Sequence, residues 1–469
     1  MKRVETPTEV LQVEIERIND KGFGYAHYVH PPKQGSQGKH LHLNIPYTVP
    51  GDVVEVTVPN ASGRKKATRD YDALIKPSPM RNLTIPHDDR VISGTPLIYM
   101  NYQEQLKYKE NLVKKFLTDK GFDSSVVSPI VGMENPNRYR NKMELTFGSN
   151  NTLGMHQQGN YRNVIDMKDS YIAPETMIDV KQIIQSWQLR HHIPGYEKES
   201  RTGVLRHLLM RQSFATNELM IVIYATVSPD AYTDAIEELK QLLLERFSQL
   251  ASFQWIVNVT SFERLHADNK YLLHGREYIM DQLNGFDYRI WPDTFFQANP
   301  VQAEKMVQIA MEMANVHADM RILDLYCGVG TFSLPLAKTC SELAGIEIVE
   351  SSIVSARRNA SDNAIGNTTF FVNDAKNGLR TLNEDWGMPD MLLINPPRSG
   401  AGGKVMRAIG RLGTEKVIYV SCSPKSLADD LVSLLPFGYR LKQVVPVDQF
   451  PHTNHVECVV LMSKDAPTE

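Results

Sequence analysis

From about residue 291 to the C-terminus the chain alternates short apolar runs with helical segments, and few folds accept that pattern. "RILDLYCG" reads as a strand, "FSLPLAKTC" as a helix, "ELAGIEIV" as a strand and "SSIVSARRNASDN" as a helix. "TTFFVND", "DMLLINPP" and "KVIYVSC" are further strands, and "GKVMRAIGRLG" is a helix between the last two. Strands of this kind, joined by helices, predict a doubly wound α/β domain with a mainly parallel sheet. Such sheets carry their chemistry in the crevice outside the strand ends.

The residues at those ends form a pattern of their own. In "LDLYCGVGTF" (323–332) an Asp precedes Gly328 and Gly330, and glycine lets the backbone approach a ligand closely. A dinucleotide site would want a third glycine, but Ser333 stands there. Glu347 ends the next strand, where a carboxylate can accept both ribose hydroxyls of a nucleoside. Asp374 ends the third, where it can accept from an adenine amino group. Acidic groups suit a sulfonium better than a diphosphate, so the set points to S-adenosylmethionine.

Three further strand ends supply reactive groups. "LLINPPRSG" places Asn395 before Pro396, Pro397 and Arg398, and the double proline makes a stiff turn that could hold a substrate base. "VIYVSCSPKSL" runs a buried strand into Cys422, and Pro424 ends the ladder. "HVECVVLM" puts Glu457 at the head of a last apolar strand. One cysteine, one base and a methyl donor suffice to methylate carbon 5 of uracil. A thiolate adding to carbon 6 activates carbon 5, and a base later removes the carbon 5 proton so that the thiol can leave. A free thiol ionises near pKa ~8.5, so a neighbouring cation should help, and Arg398 is the nearest candidate. The target base must leave its stack to reach such a pocket.

Upstream, residues 1–75 read as a small β-barrel: "LQVEIERIND", "KGFGYAHY" and "LNIPYTVPGDVVEVTVP" are short strands with glycine and proline turns. "GRKKATR" (63–69) is a basic tip on it. Residues 76–290 form a central α+β region that opens with the amphipathic helix "YQEQLKYKENLVKKFLTDKGF". Two clusters there could contact RNA: Arg138, Tyr139, Arg140 and Lys142, and Arg206, His207 and Arg211. The formal net charge of −3 means that nucleic-acid binding must use local patches. "MKRVETPTEV" has no apolar signal region and no run is long enough to span a membrane, so a cytoplasmic protein without membrane contact is expected. The four cysteines form no CxxC pair, so neither a metal site nor a disulfide framework is expected.

Taken together, "DTFFQANP" (293–300), "LDLYCGVGTF", "INPPRSG", "YVSCSP" and "HVECVVLM", with "YRNKMELTFG" and "TGVLRHLLMR" upstream, resemble the RNA uracil-C5 methyltransferase family. The N-terminal segment resembles a TRAM domain, an OB-like barrel that binds RNA in other proteins. The implied fold is a Rossmann-like methyltransferase domain (291–469) with an N-terminal OB-like barrel and a central α+β domain. The resemblance implies Gln297, Tyr326, Thr331, Glu347, Asp374 and Asn395 around the cofactor, Cys422 as nucleophile and Glu457 as base. Arg398, Phe296, Arg140 and Lys142 are the expected substrate contacts. Many members carry an iron–sulfur cluster whose cysteines would fall near residues 92–106; no cysteine occurs there, so no cluster is expected. Asn395 stands where many members have Asp, and SCSP where SCNP is frequent. The overall likeness is greatest to the bacterial 23S rRNA enzymes, which makes 23S rRNA the expected partner, tRNA the alternative, and implies no protein partner.

Overall fold

The computed structural model of the chain describes residues 8–31, 40–59, 66–157, 160–259 and 269–464. Seven strands form the C-terminal sheet: β1 (Arg321–Leu325), β2 (Glu342–Glu347), β3 (Thr368–Val372), β4 (Met391–Ile394), β5 (Lys416–Ser421), β6 (Tyr439–Val447) and β7 (Glu457–Lys464). Their order is β3-β2-β1-β4-β5-β7-β6. The first five run parallel, and β7 is inserted antiparallel between β5 and β6. The strand order reverses between β1 and β4, which opens a crevice above those two strand ends. Both faces are buried, which is why the strands read as continuous apolar runs rather than alternating ones.

The helix Tyr102–Thr118 belongs physically to this sheet. Its Val113 and Leu117 share one apolar cluster with Leu323, Leu325, Tyr419 and Leu427. The segment that follows it closes the sheet edge. Val127 and Val131 bridge β6 in parallel, with Ser128 N donating to the Val444 carbonyl (2.8 Å) and Val131 N to that of Pro446 (2.9 Å). An edge strand so covered offers no free ladder to another chain.

The central sheet also has seven strands, in the order Asn160–Asp166, Leu153–Gln157, Lys142–Phe147, Leu205–Gln212, Leu219–Ala225, Leu250–Val257 and Asn269–Gly275. Helices Glu175–Arg190 and Thr233–Arg246 cover one face. The other face, through Leu209, Met220, Val222 and Tyr224, joins a single core with the hairpin Ile279–Leu283/Phe286–Ile290, the helix Pro300–Ala314 and the C-terminal sheet.

At the N-terminus a three-stranded sheet (Thr8–Glu14, Val53–Pro59, Ala73–Lys76) and a four-stranded one (Arg17–Ile18, Gly24–Val29, His40–Ile45, Lys66–Thr68) enclose a core of Leu11, Val13, Ala26, Leu43, Val54 and Val56. Residues 63–65 of the basic tip lie outside the described residues. Ile92, Leu97, Ile98, Tyr99 and Met100 pack as an apolar cluster against Ile18 and Val49 of this unit.

These parts meet at the loop between β6 and β7. Lys109 and Asp448, both fully buried, form an ion pair at 2.5 Å. Lys109 also donates to the Phe450 carbonyl (3.0 Å), and Tyr102 OH donates to the second Asp448 oxygen (2.9 Å). Burial pushes the Lys109 amine down, while Asp448 favours its charged form. Removing one partner leaves the other charge buried and unpaired, which typically costs about 3–5 kcal/mol. Lys109→Met should therefore lower the thermal unfolding midpoint by several degrees. Lys109→Met/Asp448→Leu should recover much of that loss; a double variant no more stable than the single one would mean that the neighbouring hydrogen bonds, not the charge pair, hold the loop.

Candidate active site

Cys422 follows the last residue of β5, and the next residues turn straight into the helix Pro424–Val432. Ser423 caps that helix, and Pro424 opens it without a backbone donor to satisfy. In the antiparallel pairing of β5 with β7, Ser421 lies opposite Cys458. One step further along this register brings Cys422 beside Glu457. The other three cysteines are buried, whereas Cys422 is half-buried. Its surroundings open into a cavity of about 260 Å³ walled by Tyr108, Leu112 and Phe116 of the Tyr102–Thr118 helix and by Arg398, Lys425 and His455.

The electrostatics are coupled. Burial pushes the Glu457 carboxyl up to about 7, with Arg398 opposing. Burial, and then the Glu457 charge, push the Cys422 thiol up to about 11; Arg398 pulls it down through its charge and a hydrogen bond. The terminal guanidinium nitrogen of Arg398 lies 2.9 and 2.8 Å from the two ring nitrogens of His455. Burial, then Arg398, hold His455 down near 4, so at neutral pH its imidazole is uncharged and can accept from Arg398. The Arg398 loop is pinned to the Cys422 helix: Ser426 Oγ donates to the Arg398 carbonyl (3.0 Å), and Asp430 accepts from Ala401 N (2.7 Å), Gly402 N (3.0 Å) and Tyr419 OH (2.7 Å).

A second group of residues lines the ends of β1 to β4. After β1 the backbone turns through Tyr326 (φ 62°), Gly328 (φ 55°) and Gly330 (φ 90°). Left-handed backbone is costly for tyrosine and nearly free for glycine, so this loop is held in a special shape. Tyr326 N and Cys327 N donate to the Ile346 carbonyl, tying the loop to β2. A Cβ added at Gly328 would meet nothing within 4 Å, so that backbone faces open space. Glu347 uses one oxygen to accept from Val349 N (2.9 Å). Asp374 caps the next helix through Asn377 N (3.0 Å), which helps hold its carboxyl below the usual range. Asn395 N donates to the Leu325 carbonyl (3.2 Å), placing Asn395 beside the β1 end. Beneath the loop, buried Asp324 accepts from Ser333 Oγ (2.5 Å) on one oxygen, while the other has no partner; burial raises its carboxyl to about 7. Gln297 and Thr331 are nearly buried, and Gln449 Nε2 donates to Gln297 Oε1 (3.4 Å). Acceptor groups at successive strand ends around an open glycine loop fit a nucleoside carrying a cationic sulfur. These acceptors could take up hydroxyl and amino protons, and the nearby carboxylates favour positive charge.

Several expected RNA contacts are structural. Phe296 is 4% exposed and packs on Tyr288 in the core, while the adjacent Phe295 is 69% exposed. The open ring is therefore that of Phe295, because the backbone register after the β-hairpin turns its neighbour inward. Arg206, His207 and Arg211 lie on a strand buried at every position. Arg206 donates to the Asn258 carbonyl (2.9 Å), and Arg211 to that of Thr294. Tyr139 is buried and donates to the Pro451 carbonyl (3.0 Å). Arg138 pairs with Asp169. Arg140 and Lys142 are partly open, and burial together with the like charges of Arg211 and Arg140 lowers the Lys142 amine to about 8. A larger cavity, about 560 Å³, lies between the two helices of the central domain, but its walls hold exposed ion pairs such as Arg246–Asp179 rather than a paired thiol and carboxylate.

Sequence reasoning missed Lys109, Asp448, Asp430 and His455. His455 sits two residues before Glu457, and that proximity to a site residue was the one available signal.

The sequence profile of the family described as tRNA (uracil-5-)-methyltransferase matches residues 101–465. An uncharacterized RNA methyltransferase of Caldanaerobacter subterraneus subsp. tengcongensis is 31% identical over 97% of this chain and 99% of its own length. Another, from Clostridium tetani, is 34% identical over 79% of this chain and 80% of its own. The crystal structure of a Pyrococcus abyssi tRNA (uracil-54, C5)-methyltransferase in complex with S-adenosyl-L-homocysteine superimposes with a TM-score of 0.73 at 25% identity, covering 96% of this chain and 100% of that one. The profile spans most of the chain and relatives match it nearly end to end, and the chain belongs to the tRNA (uracil-5-)-methyltransferase family.

Proposed function

We propose that this protein methylates carbon 5 of a uridine in 23S rRNA, using S-adenosylmethionine as methyl donor. The observation that carries the chemistry is Cys422 beside Glu457 where two paired strands end, with Arg398 acting on both. The preference for rRNA over tRNA rests on the resemblance of the whole chain, its N-terminal β unit included, to the bacterial 23S rRNA enzymes. We take the chain as a TRAM-like unit (1–75), a central RNA-binding domain (76–290) and the methyltransferase domain (291–469), with the helix Tyr102–Thr118 of the central span packed on the methyltransferase sheet.

In this reading Glu347 accepts the ribose hydroxyls of the donor and Asp374 the adenine amino group. Tyr326, Thr331, Gln297 and Asn395 complete its enclosure. S-adenosylmethionine supplies an electrophilic methyl group. Cys422 attacks carbon 6 of the flipped uracil; Arg398 stabilises the thiolate, and the Pro396-Pro397 turn keeps that guanidinium in place. Once carbon 5 carries the methyl group, Glu457 takes the carbon 5 proton and the Cys422–carbon 6 bond breaks, releasing product. Arg140 and Lys142 contribute positive charge toward the RNA.

Mixing the protein and S-adenosylmethionine with 5-fluorouridine forms of 23S fragments and of tRNA tests both chemistry and substrate, because fluorine blocks the proton removal assigned to Glu457. A covalent adduct should appear by intact mass with the 23S fragments and vanish in Cys422→Ala. An adduct with tRNA alone would move the assignment to tRNA, and a Cys422→Ala protein that still methylates would end the thiol mechanism. With ordinary uridine, Glu457→Gln should lower turnover at least about 100-fold and accumulate the methylated adduct.

The pH dependence has a definite sign. Glu457 must be ionised to act as base and has been raised to about 7, so kcat/KM should fall as pH drops below about 7. The Glu457 charge also disfavours the thiolate. Glu457→Gln should therefore speed iodoacetamide alkylation of Cys422 at pH 8 several-fold, whereas Arg398→Met should slow it. Equal rates in all three proteins would mean that neither group acts on the thiol.

A further inference from the structure

Arg398 is held at its tip by a ring rather than by an acid. Its backbone is fixed: Gly400 N closes a turn onto the Pro397 carbonyl (2.8 Å), and Ser426 Oγ donates to the Arg398 carbonyl (3.0 Å). Its side chain is exposed, and a long exposed arginine keeps many rotamers unless something at its tip selects one. Among the described residues no carboxylate lies within ion-pair distance of it; the His455 ring meets the guanidinium instead, with one nitrogen 2.9 and 2.8 Å from the two ring nitrogens. A neutral imidazole keeps one lone-pair nitrogen in either tautomer, and an imidazolium keeps none. With both ring nitrogens in reach, either tautomer gives Arg398 an acceptor. The same guanidinium reaches Cys422 by a hydrogen bond, and all three side chains line one cavity.

His455 is itself anchored. Its N donates to Thr453 Oγ1 (3.2 Å), Thr453 Oγ1 donates to the Phe450 carbonyl (2.8 Å), and Lys109 donates to that same carbonyl (3.0 Å). The Phe450 ring meets the imidazole edge-on, at 80° with centroids 6.2 Å apart. The buried Lys109–Asp448 pair therefore steadies the loop that carries His455. Burial and three cations, Arg398, Lys109 and Arg140, all favour the neutral ring, while Asp20 and Lys425 line the same cavity. A carboxylate in this place would grip the guanidinium more strongly, but its charge would cancel the field on the sulfur and, as Glu457 does, disfavour the thiolate. A neutral acceptor fixes direction and leaves the cation's charge whole.

We propose that His455 is a positioning residue: its uncharged ring aims the Arg398 guanidinium at Cys422 without neutralising it, so that the thiolate forms against a fixed cation. This rests on the reading of Cys422 as the nucleophile and Arg398 as the group that stabilises its thiolate.

The test is the rate of iodoacetamide alkylation of Cys422 from pH 7 to 9, with Cys422→Ala as the blank for the other cysteines. His455→Phe, a ring with no acceptor, should slow alkylation roughly fivefold at each pH, and His455→Gln, whose side-chain carbonyl accepts, should stay within about twofold of the native rate. In an Arg398→Met background His455→Phe should make no further difference, because the two residues act through one contact. A packing role would slow His455→Gln and His455→Phe alike, or would add to Arg398→Met; either result overturns the proposal, as does native reactivity in His455→Phe. If His455→Phe does not fold, 15N-histidine-labelled protein decides. The ring resonance absent from His455→Gln should be that of a neutral imidazole at pH 7 and should move in Arg398→Met; a cationic ring, or one indifferent to Arg398, overturns the proposal. In methylation, His455→Phe should lower kcat and leave KM for RNA unchanged, and a change in KM alone would make His455 an RNA contact instead. The alkylation arms need no RNA, so failure of the native protein to methylate any RNA would count against the reading of the thiol site rather than against this one.

Discussion

The buried pair of Lys109 and Asp448 is the constraint on which the rest of the molecule depends. It joins a helix near the start of the family-matched region to the loop that delivers Glu457. Around it, Gln302 donates to the carbonyls of Val131 (3.0 Å) and Asp448 (3.1 Å), Asn299 to that of Gln449 (3.1 Å), and Gln105 to that of Met100 (2.8 Å). His452 N donates back to Gln105 (2.9 Å). A loop with this many backbone groups away from water would be unstable without partners, and here side chains from distant segments supply them. A charged pair in such a place offers little stability over an apolar one, but it penalises every arrangement in which the two halves fail to meet.

The site built on that junction separates two ionisations. Glu457 is raised toward neutrality, so it can hold a proton or release it near physiological pH, as a base needs. Cys422 is raised much further in the protein alone. A thiol that stays protonated until substrate arrives is protected from oxidation and from stray electrophiles. Arg398 is exposed and held by its neighbours rather than by an acid, so its charge is available to the thiol.

The C-terminal fold was legible because each apolar run ends directly in a polar residue: Glu347, Asn395 and Cys422 follow or close their strands without a gap. Glu457 stands in the same way at the head of β7. What escaped depends on contacts between segments hundreds of residues apart. Nothing local marks Lys109 on an amphipathic helix rich in lysine, because only the fold buries it. Burial also decided against Arg206, His207 and Arg211, which sit in a strand whose two faces are both covered, so an arginine in sequence looks the same whether it binds phosphate or a carbonyl. Phe295 and Phe296 differ by one residue, and which of two adjacent rings faces outward is a matter of register that composition does not carry.

The contact between Asp20 and Asn454 has a consequence for how such proteins can be rebuilt. The N-terminal unit has its own apolar core and could be taken for an exchangeable accessory. Yet its hairpin turn borders the same cavity as the thiol, and Gly22 is pressed so closely on Pro96 that an added Cβ would come within 2.9 Å of it. A chimera carrying another barrel would have to reproduce that turn closely, or it would alter the wall of the cavity that holds Cys422. Exchanging the N-terminal unit is therefore a problem of rebuilding one hairpin against the thiol cavity rather than of swapping a module.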